Sequence, residues 1–333
     1  MIKQILIGII VVAIIIGGYF WLTQEKTDHT GPAEKITVAI GSGPVTSLIH
    51  IAFENGYFEN EGLDLALQPH TSGKSAFNAV VEGDADLATA ADTPIMHAIM
   101  RGDKIYILAT ISSTEHDKMI VARKDKGVSI PNDLKGKRIG VSVGTNAEFF
   151  MDSFLIMHGI SRDEVEVINV ETNAMVDTLT SGEVDAVSTW NPHVNKLRKG
   201  LGDNGAAFSG EGIYRETFNI VTKQDFANEN PENIKKVLRA LIKADEFIEE
   251  NPDEAQETVA GKIGMDKAAL NELWELYNFK VTLDQSLLLT LEAEARWAIK
   301  NKLTNKTEVP NFLDYIYLDG LEKVKPEAFR IIR

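Results

Sequence analysis

Gly-Lys-Arg-Ile-Gly-Val-Ser-Val-Gly-Thr-Asn-Ala-Glu-Phe-Phe, at residues 136–150, joins a short apolar segment to a helix start. Thr145 and Glu148 have the spacing of a capping box, in which two side chains satisfy backbone N–H groups of a first helical turn. The pattern predicts a strand, a tight loop and a helix that begins at about Asn146. Because the N–H groups of a first turn carry partial positive charge, residues 142–146 are candidates to bind a small polar or anionic ligand.

Four other segments have the same order of strand, polar loop and helix. Their loops begin near Ser42, Thr71, Asp92 and Trp190. Proline stands near the first helical position in three of them, where its missing N–H costs no hydrogen bond. This alternation predicts mostly parallel sheets whose loops gather at the carboxyl edges of the strands, where open α/β folds bind ligands.

The junctions recur at a nearly constant offset. Val38 and Val141 are separated by about 100 positions, and so are Leu65 and Val167. The sequence therefore predicts two similar α/β lobes that face one cleft. The alternative is that strand–helix units of ordinary length drift into register.

Length and charge limit the class of protein. The chain has 333 residues, enough for two domains, and its 44% hydrophobic and 25% charged residues are typical of a globular protein. A net charge of −15 without a basic stripe argues against a nucleic-acid partner. It does not exclude an anionic small ligand, because salt screens distant surface charge beyond roughly 10 Å.

Residues 1–22 are predicted to be a membrane anchor or signal. Lys3 precedes an uncharged apolar run long enough to span a bilayer, and Tyr19, Phe20 and Trp21 suit an interfacial aromatic belt. A cleaved signal is the alternative, but no small-x-small cleavage site follows the run. Residues 23–34 are polar and are predicted to be a tether.

The globular part is predicted to comprise lobe I, at residues 35–123 and 222–333, and lobe II, at residues 124–221. The hinge is expected at residues 124–131 and 219–222. From residue 225 the pattern is helical, with helices expected at residues 231–249, 252–263, 267–276 and 286–301. These helices are assigned to lobe I, with Trp274 and Trp297 in its core.

Several chemistries have no support in the sequence. Cysteine is absent, which removes disulfides, thiolate metal sites and cysteine nucleophiles, and the seven histidines lack a metal-ligand spacing. No P-loop, dinucleotide or Gly-x-Ser-x-Gly fingerprint occurs. We therefore expect no metal and no cofactor, and none of these motifs supports an enzyme.

The junctions supply the candidate ligand-binding residues, which are mostly small polar side chains that also suit helix caps. Trp190 is the exception, because it has no role as a cap and can form an apolar wall or a π-face for a cation. Asp92 either caps a turn or meets an amino group of the ligand. The candidates are Ser42, Thr46, Ser72, Ser75, Asp92, Thr93, Ser142, Thr145, Asn146, Trp190, Asn191 and Tyr214.

The order of these motifs resembles the periplasmic substrate-binding proteins of ABC importers, in the nitrate/sulfonate/taurine family that also includes binding proteins for thiamine-precursor pyrimidines. The likeness rests on Gly-Tyr-Phe-Glu-Asn-Glu-Gly-Leu at residues 56–63, Gly-Asp-Ala-Asp-Leu at 83–87, Leu-Lys-Gly-Lys-Arg-Ile-Gly-Val at 134–141, Gly144-Thr145, and Val-Asp-Ala at 184–186 followed by Trp-Asn-Pro at 190–192. It extends from about residue 35 to the C-terminus.

The resemblance implies a two-lobed periplasmic-binding-protein fold of type II with a hinge. It also implies a monomeric, extracytoplasmic receptor that delivers a small solute to an ABC permease and its ATPase. Sulfonate, nitrate, taurine, a pyrimidine and an aromatic acid all remain candidate solutes. The alternatives are a membrane-tethered sensor and an enzyme like the eukaryotic pyrimidine synthases of the thiamine pathway, which use a cysteine-rich segment that this chain lacks.

Overall fold

The computed structural model describes residues 33–210 and 212–333. The predicted anchor at residues 1–22 lies outside these ranges, as does nearly all of the predicted tether. Within the described ranges, no helix combines the length and the apolar character that crossing a membrane requires.

Two five-stranded sheets form the framework. In chain order the strands are β1 (Glu34–Ile40), β2 (Leu63–Pro69), β3 (Leu87–Ala91), β4 (Ile105–Thr114), β5 (Lys118–Arg123), β6 (Arg138–Val141), β7 (Glu166–Asn169), β8 (Ala186–Trp190), β9 (Gly205–Ser209), β10 (Glu216–Lys223), β11 (Leu283–Asp284) and β12 (Phe329–Arg330). The first sheet has the order β2-β1-β3-β10-β4 and the second β7-β6-β8-β5-β9, while β11 and β12 form a short separate pair.

Helices cover both sheets. The α-helices are α1 (Ser47–Glu54), α2 (Tyr57–Asn60), α3 (Gly73–Glu82), α4 (Asp92–Arg101), α5 (Asn146–Met157), α6 (Met175–Ser181), α7 (His193–Leu201), α8 (Gln224–Glu229), α9 (Pro231–Glu250), α10 (Pro252–Ile263), α11 (Lys267–Trp274), α12 (Gln285–Lys300) and α13 (Leu318–Val324). The helices predicted from residue 231 onward are confirmed as α9 to α12, with ends that differ by at most two residues.

The two sheets have the duplicated topology that the sequence offset predicts. β1 is parallel to β2 and β3, and β6 is parallel to β7 and β8. The register repeats as well, since Ile36 pairs with Leu65 and Ile139 pairs with Val167. In each sheet the strand in fourth place, β10 or β5, runs in the direction opposite to the other four strands. The prediction of mostly parallel sheets is therefore confirmed.

The chain passes between the sheets twice, first between the end of β4 and the start of β5 and then between the end of β9 and the start of β10. These crossings differ from the predicted lobe boundaries after residues 123 and 221 and from the predicted hinge segments. β5 (Lys118–Arg123) pairs with β8 and β9 of the second sheet, and β10 (Glu216–Lys223) pairs with β3 and β4 of the first. Both predicted boundaries fall at or inside strands, where backbone pairing fixes the chain.

The apolar cores follow the sheets. The largest core joins the first sheet to the C-terminal helices, as expected, and includes Trp274 and Trp297. Two smaller cores lie around the second sheet, and their buried residues fall between Ile120 and Tyr214. Each sheet is therefore stabilised mainly by its own helices.

The first turn of α5 differs from the predicted capping box. Thr145 precedes the helix as expected, but its hydroxyl donates to the carbonyl oxygen of Ser142, at 2.6 Å. Glu148 instead accepts from the N–H of Gly144, at 2.7 Å, and from the guanidinium of Arg162, at 2.6 Å. The ion pair with Arg162 explains why Glu148 does not turn back to Thr145.

Candidate functional site

A cavity of about 30 Å³ lies between the two sheets, at the carboxyl ends of their parallel strands. The loops that follow β1, β2 and β3 meet it from one side, and the loops that follow β6 and β8 meet it from the other. Its lining residues are Ser42, Val45, Ser72, Gly73, Lys74, Ala91, Pro94, Asp117, Lys118, Thr145, Asn146, Trp190, Glu216 and Phe218. Both halves of the duplicated fold therefore contribute to one enclosed space, which we call the cleft.

Five of the predicted site residues line the cleft: Ser42, Ser72, Thr145, Asn146 and Trp190. All five follow or end a strand whose carboxyl end points at the other sheet. The Ser72 hydroxyl caps α3 by accepting from the N–H of Ser75, at 3.2 Å. The Ser42 hydroxyl donates to the carbonyl oxygen of Thr71, at 2.9 Å, and ties two of the loops together.

The other seven predicted residues do not line the cleft. Three of them use their polar groups within their own turns: Thr46, Ser75 and Ser142. The main-chain N–H of Asn191 donates to Asp117, at 3.2 Å. Asp92, Thr93 and Tyr214 belong to a buried polar network behind the cleft.

Asp92 is the centre of that network and is fully buried. Its carboxylate accepts from the N–H of Thr93 at 2.9 Å, from the N–H of Thr217 at 2.8 Å and from the Tyr214 hydroxyl. Burial raises the pKa of Asp92 and these hydrogen bonds oppose the rise. Burial, and then the charge of Asp92, raise the pKa of Glu294 well above its usual range. Asp92 thus holds β3, β10 and the second crossing together.

Sequence reasoning missed the charged groups of the cleft. The Lys118 ammonium donates to Asp117, at 3.1 Å, and to Glu216. The Asn146 side-chain amide donates to the other oxygen of Glu216. Glu216 begins a strand of the first sheet, whereas Lys118 and Asn146 belong to the second half of the fold. The ion pair therefore bridges the two halves across the cleft.

Burial and mutual attraction set the protonation of this cluster. Burial lowers the pKa of Lys118, but Glu216 and Asp117 outweigh that effect, so its pKa is raised and the ammonium stays charged. Burial raises the pKa of Glu216 to about 7, despite the opposing attraction of Lys118, and the charges of Asp117 and Asp92 add to the rise. Glu216 is thus the group of the cleft that titrates near neutral pH.

Trp190, which is predicted to form an apolar wall or a π-face, lines the cleft. It is half-buried at the end of β8, and the Lys118 nitrogen lies 5.9 Å from the centroid of its ring. His193 packs edge-on against the indole, with ring centroids 6.0 Å apart. A cation beside an indole face gains electrostatic attraction to the ring.

One sequence signal points to the missed residues. Lys118 and Glu216 each open a strand whose next residues are mostly apolar or β-branched, and each directly follows a crossing. A charged residue at that place is buried between the sheets once the two halves meet. Among the described residues, no group of three or more His, Cys, Asp or Glu side chains is arranged to hold a metal ion.

Three related proteins have informative names. A putative binding protein of Brucella abortus is 27% identical over 228 residues, which cover 68% of this chain and 70% of that protein. The taurine-binding periplasmic protein of Escherichia coli is 26% identical over 225 residues, which cover 66% and 68%. The alkanesulfonate-binding protein of Xanthomonas axonopodis pv. citri, solved bound to MOPS, superposes with a TM-score of 0.76 at 18% identity, covering 86% of this chain and 99% of that one.

The structural likeness establishes an α/β periplasmic-binding-protein fold. The family described as NMT1/THI5 like matches residues 44–255, more than half of the chain and both sides of the cleft. The matched range includes every strand of the two large sheets except β1. On that match, the chain belongs to the NMT1/THI5-like family.

Proposed function

We propose that this protein is the extracytoplasmic solute-binding component of an ABC importer, which captures a small organic solute in the cleft and delivers it to a permease. The observation that carries the proposal is a cleft lined from both halves of a duplicated fold and closed by an ion pair between them. The names of the related binding proteins support the same function. They describe binding and not catalysis.

The cleft is closed in this arrangement. Its volume of about 30 Å³ is far below the roughly 300 to 1,000 Å³ of typical small-molecule sites, so an organic solute requires the two halves to separate. We propose that the crossings at residues 115–117 and 210–215 act as the hinge. Lobe I then consists of the first sheet with the C-terminal helices, and lobe II of the second sheet with α5, α6 and α7.

The side chains of the cleft favour a zwitterionic solute. An ammonium, an amide and several hydroxyls suit an anionic head, and α3 and α5 begin beside them, where the N–H groups of a first helical turn carry partial positive charge. Asp117 and Glu216 suit an amino group, which would replace the Lys118 ammonium as their partner. A small amino sulfonate of the taurine class carries both groups. In this proposal, the seven predicted residues outside the cleft do not contact the solute. Their hydrogen bonds fix the conformation of the loops that line the cleft.

The location of the protein is part of the proposal. Residues 1–22 would hold the receptor at the outer face of the membrane and so raise its effective concentration near the permease. N-terminal sequencing of protein from the membrane fraction tests this, since a mature chain that begins after residue 22 would exclude the anchor.

Calorimetric titration with taurine and with ethanesulfonate tests the solute class. Ethanesulfonate keeps the sulfonate and lacks the amino group, so we expect taurine to bind roughly tenfold or more tightly, because an ammonium–carboxylate hydrogen bond is charge-assisted. In Glu216→Gln this preference should shrink. In the control Glu246→Gln, on the exposed side of α9, it should persist.

Equal binding of the two sulfonates would contradict the role of the carboxylates. Binding of neither, with tight binding of nitrate or an aminopyrimidine instead, would reject the solute class. Circular dichroism of each variant establishes that it is folded.

A further inference from the structure

A second, larger cavity of about 650 Å³ lies beside the cleft. It is bounded by α3, α4, the segment that follows α12, and the loop that precedes α5. Lys74 and Pro94 line both the cleft and this cavity, so the two spaces are neighbours. We call it the side cavity.

The lining of the side cavity is strongly basic. Lys74, Arg101, Lys302 and Lys306 contribute four positive charges, and Glu148 is the one carboxylate. The whole chain, in contrast, carries −15. A cluster of basic side chains attracts anions and raises their local concentration. It does so against the repulsion from the negatively charged remainder of the surface.

The carboxylate of Glu148 is already engaged. One oxygen accepts from the Arg162 guanidinium at 2.6 Å, and the other accepts from the N–H of Gly144 at 2.7 Å. The side-cavity cations therefore receive little neutralisation from it, and an external anion faces little repulsion.

The cations themselves are poorly paired. Within the part of the chain that the structure describes, no ion pair engages Lys74, Lys302 or Lys306, and Arg101 pairs only with Asp103, at 2.8 Å. His97 lines the same space, and its Nε2 is buried without a hydrogen-bond partner. Among the described residues, three ammonium groups without an ion-pair partner, from α3 and from the segment that follows α12, therefore line one space.

The side cavity also joins the two halves of the fold. The Lys74 ammonium donates to the carbonyl oxygen of Val143, at 2.6 Å, from the first half to the second. An anion in this cavity would contact both halves and would favour the arrangement in which they are closed. By linkage, closure by the solute would in turn tighten anion binding.

We propose that the side cavity binds a multiply charged phosphate-bearing anion, at a site distinct from the solute cleft. A singly charged nitrate or sulfonate leaves most of the positive charge of the lining unneutralised. A phosphate or diphosphate group carries more negative charge and neutralises more of it. Phe77, Pro94 and Met100 add an apolar wall, which suits an organic body attached to the phosphate. The cavity is large enough for such a ligand.

Phosphorus NMR and calorimetry with inorganic phosphate and pyrophosphate, at fixed ionic strength, test the proposal. We expect pyrophosphate to bind more tightly than phosphate. The double variant Lys302→Gln, Lys306→Gln should weaken pyrophosphate binding roughly tenfold or more, because two of the four cations are lost. Lys300→Gln removes an exposed lysine at the end of α12 that does not line the cavity, and this variant should bind as the parent does.

A cleft variant separates the two sites. Trp190→Ala should retain pyrophosphate binding, whatever it does to taurine. Loss of pyrophosphate binding in folded Trp190→Ala would place the anion in the cleft and overturn the proposal. Equal binding by the parent and the double variant, or no binding by the parent, would also overturn it. Lys306→Gln alone, in an exposed loop, gives the same test with half the charge change if the double variant does not fold.

Discussion

His50 shows how burial changes a single titratable residue. It lies in α1 with 8% of its surface exposed. Burial is the main reason that its pKa is lowered to about 4, and the positive charge of Lys262 adds to the effect. The folded protein therefore holds His50 neutral at pH values where an unfolded chain protonates it.

The stability of the protein should consequently fall as the pH drops from 6.5 towards 4. In that window the unfolded state binds a proton at His50 that the folded state does not, which favours unfolding. At pH 5 this linkage amounts to about 2 kcal/mol relative to pH 7. Urea denaturation of the parent and of His50→Gln at both pH values measures it, and the loss should be smaller in the variant.

His116→Gln, at an exposed position, is the matched control and should keep the pH dependence of the parent. If His50→Gln loses as much stability between pH 7 and pH 5 as the parent does, His50 is not the group that titrates.

Helix α9 (Pro231–Glu250) is held against the first sheet by its buried face. Its buried residues recur at three- and four-residue spacing and include Val237, Leu238 and Leu241, which belong to the core of the first sheet. On a half-exposed side of the helix, Arg239 pairs with Glu61, at 2.7 Å. Core packing carries most of the stability of such a helix, because an isolated helix gains little from its own hydrogen bonds and side-chain pairs.

Leu241→Ala should therefore destabilise the protein by about 2 to 5 kcal/mol, from lost burial and the cavity left behind. Denaturant unfolding measures the change in the free energy of unfolding. Glu246→Ala, on the exposed face of the same helix, should change it by less than about 0.5 kcal/mol. Similar losses in the two variants would contradict the dominance of core packing at α9.

The whole molecule combines separate cores with contacts across the cleft that are mostly polar. Besides the Lys118–Glu216 pair, the indole N–H of Trp297 donates to Asp152, at 2.8 Å, and the Tyr277 hydroxyl donates to Asp117. Phe149 adds one apolar contact, edge-on to Trp297 at 5.3 Å between ring centroids. Two bodies with their own cores and a mostly polar boundary are suited to move as rigid units.

Loss of a bridging hydrogen bond should then open the molecule. We expect Trp297→Phe to increase the radius of gyration in solution without solute, because Asp152 loses its partner from the other half. Saturating taurine should reduce the radius again. Small-angle scattering measures both.

Trp274→Phe provides the control, since Trp274 packs on Phe279 within the first half and should leave the radius unchanged. A radius that stays the same in parent and Trp297→Phe, with and without a solute shown to bind, would contradict hinge opening.

The sequence by itself determined the local features of this protein. Strand ends, helix starts and the helices from Pro231 onward were predictable because caps, prolines and apolar spacing act within a few residues. The offset between Leu65 and Val167 likewise revealed the duplicated topology, since each half obeys the same local pattern. Five of the cleft residues were predictable for the same reason, since they lie at a strand end or in the loop and first helical turn that follow one.

Only the tertiary structure decided which segments cross between the halves and which charges meet in the cleft. β5 and β10 were misplaced because a strand does not encode which sheet it joins, and backbone pairing with distant strands settles it. Lys118 and Glu216 stand far apart in the chain, and Glu148 prefers Arg162 to its local partner. Electrostatic attraction depends on distance in space, and for charges brought together by folding that distance is fixed by the packing of the two halves.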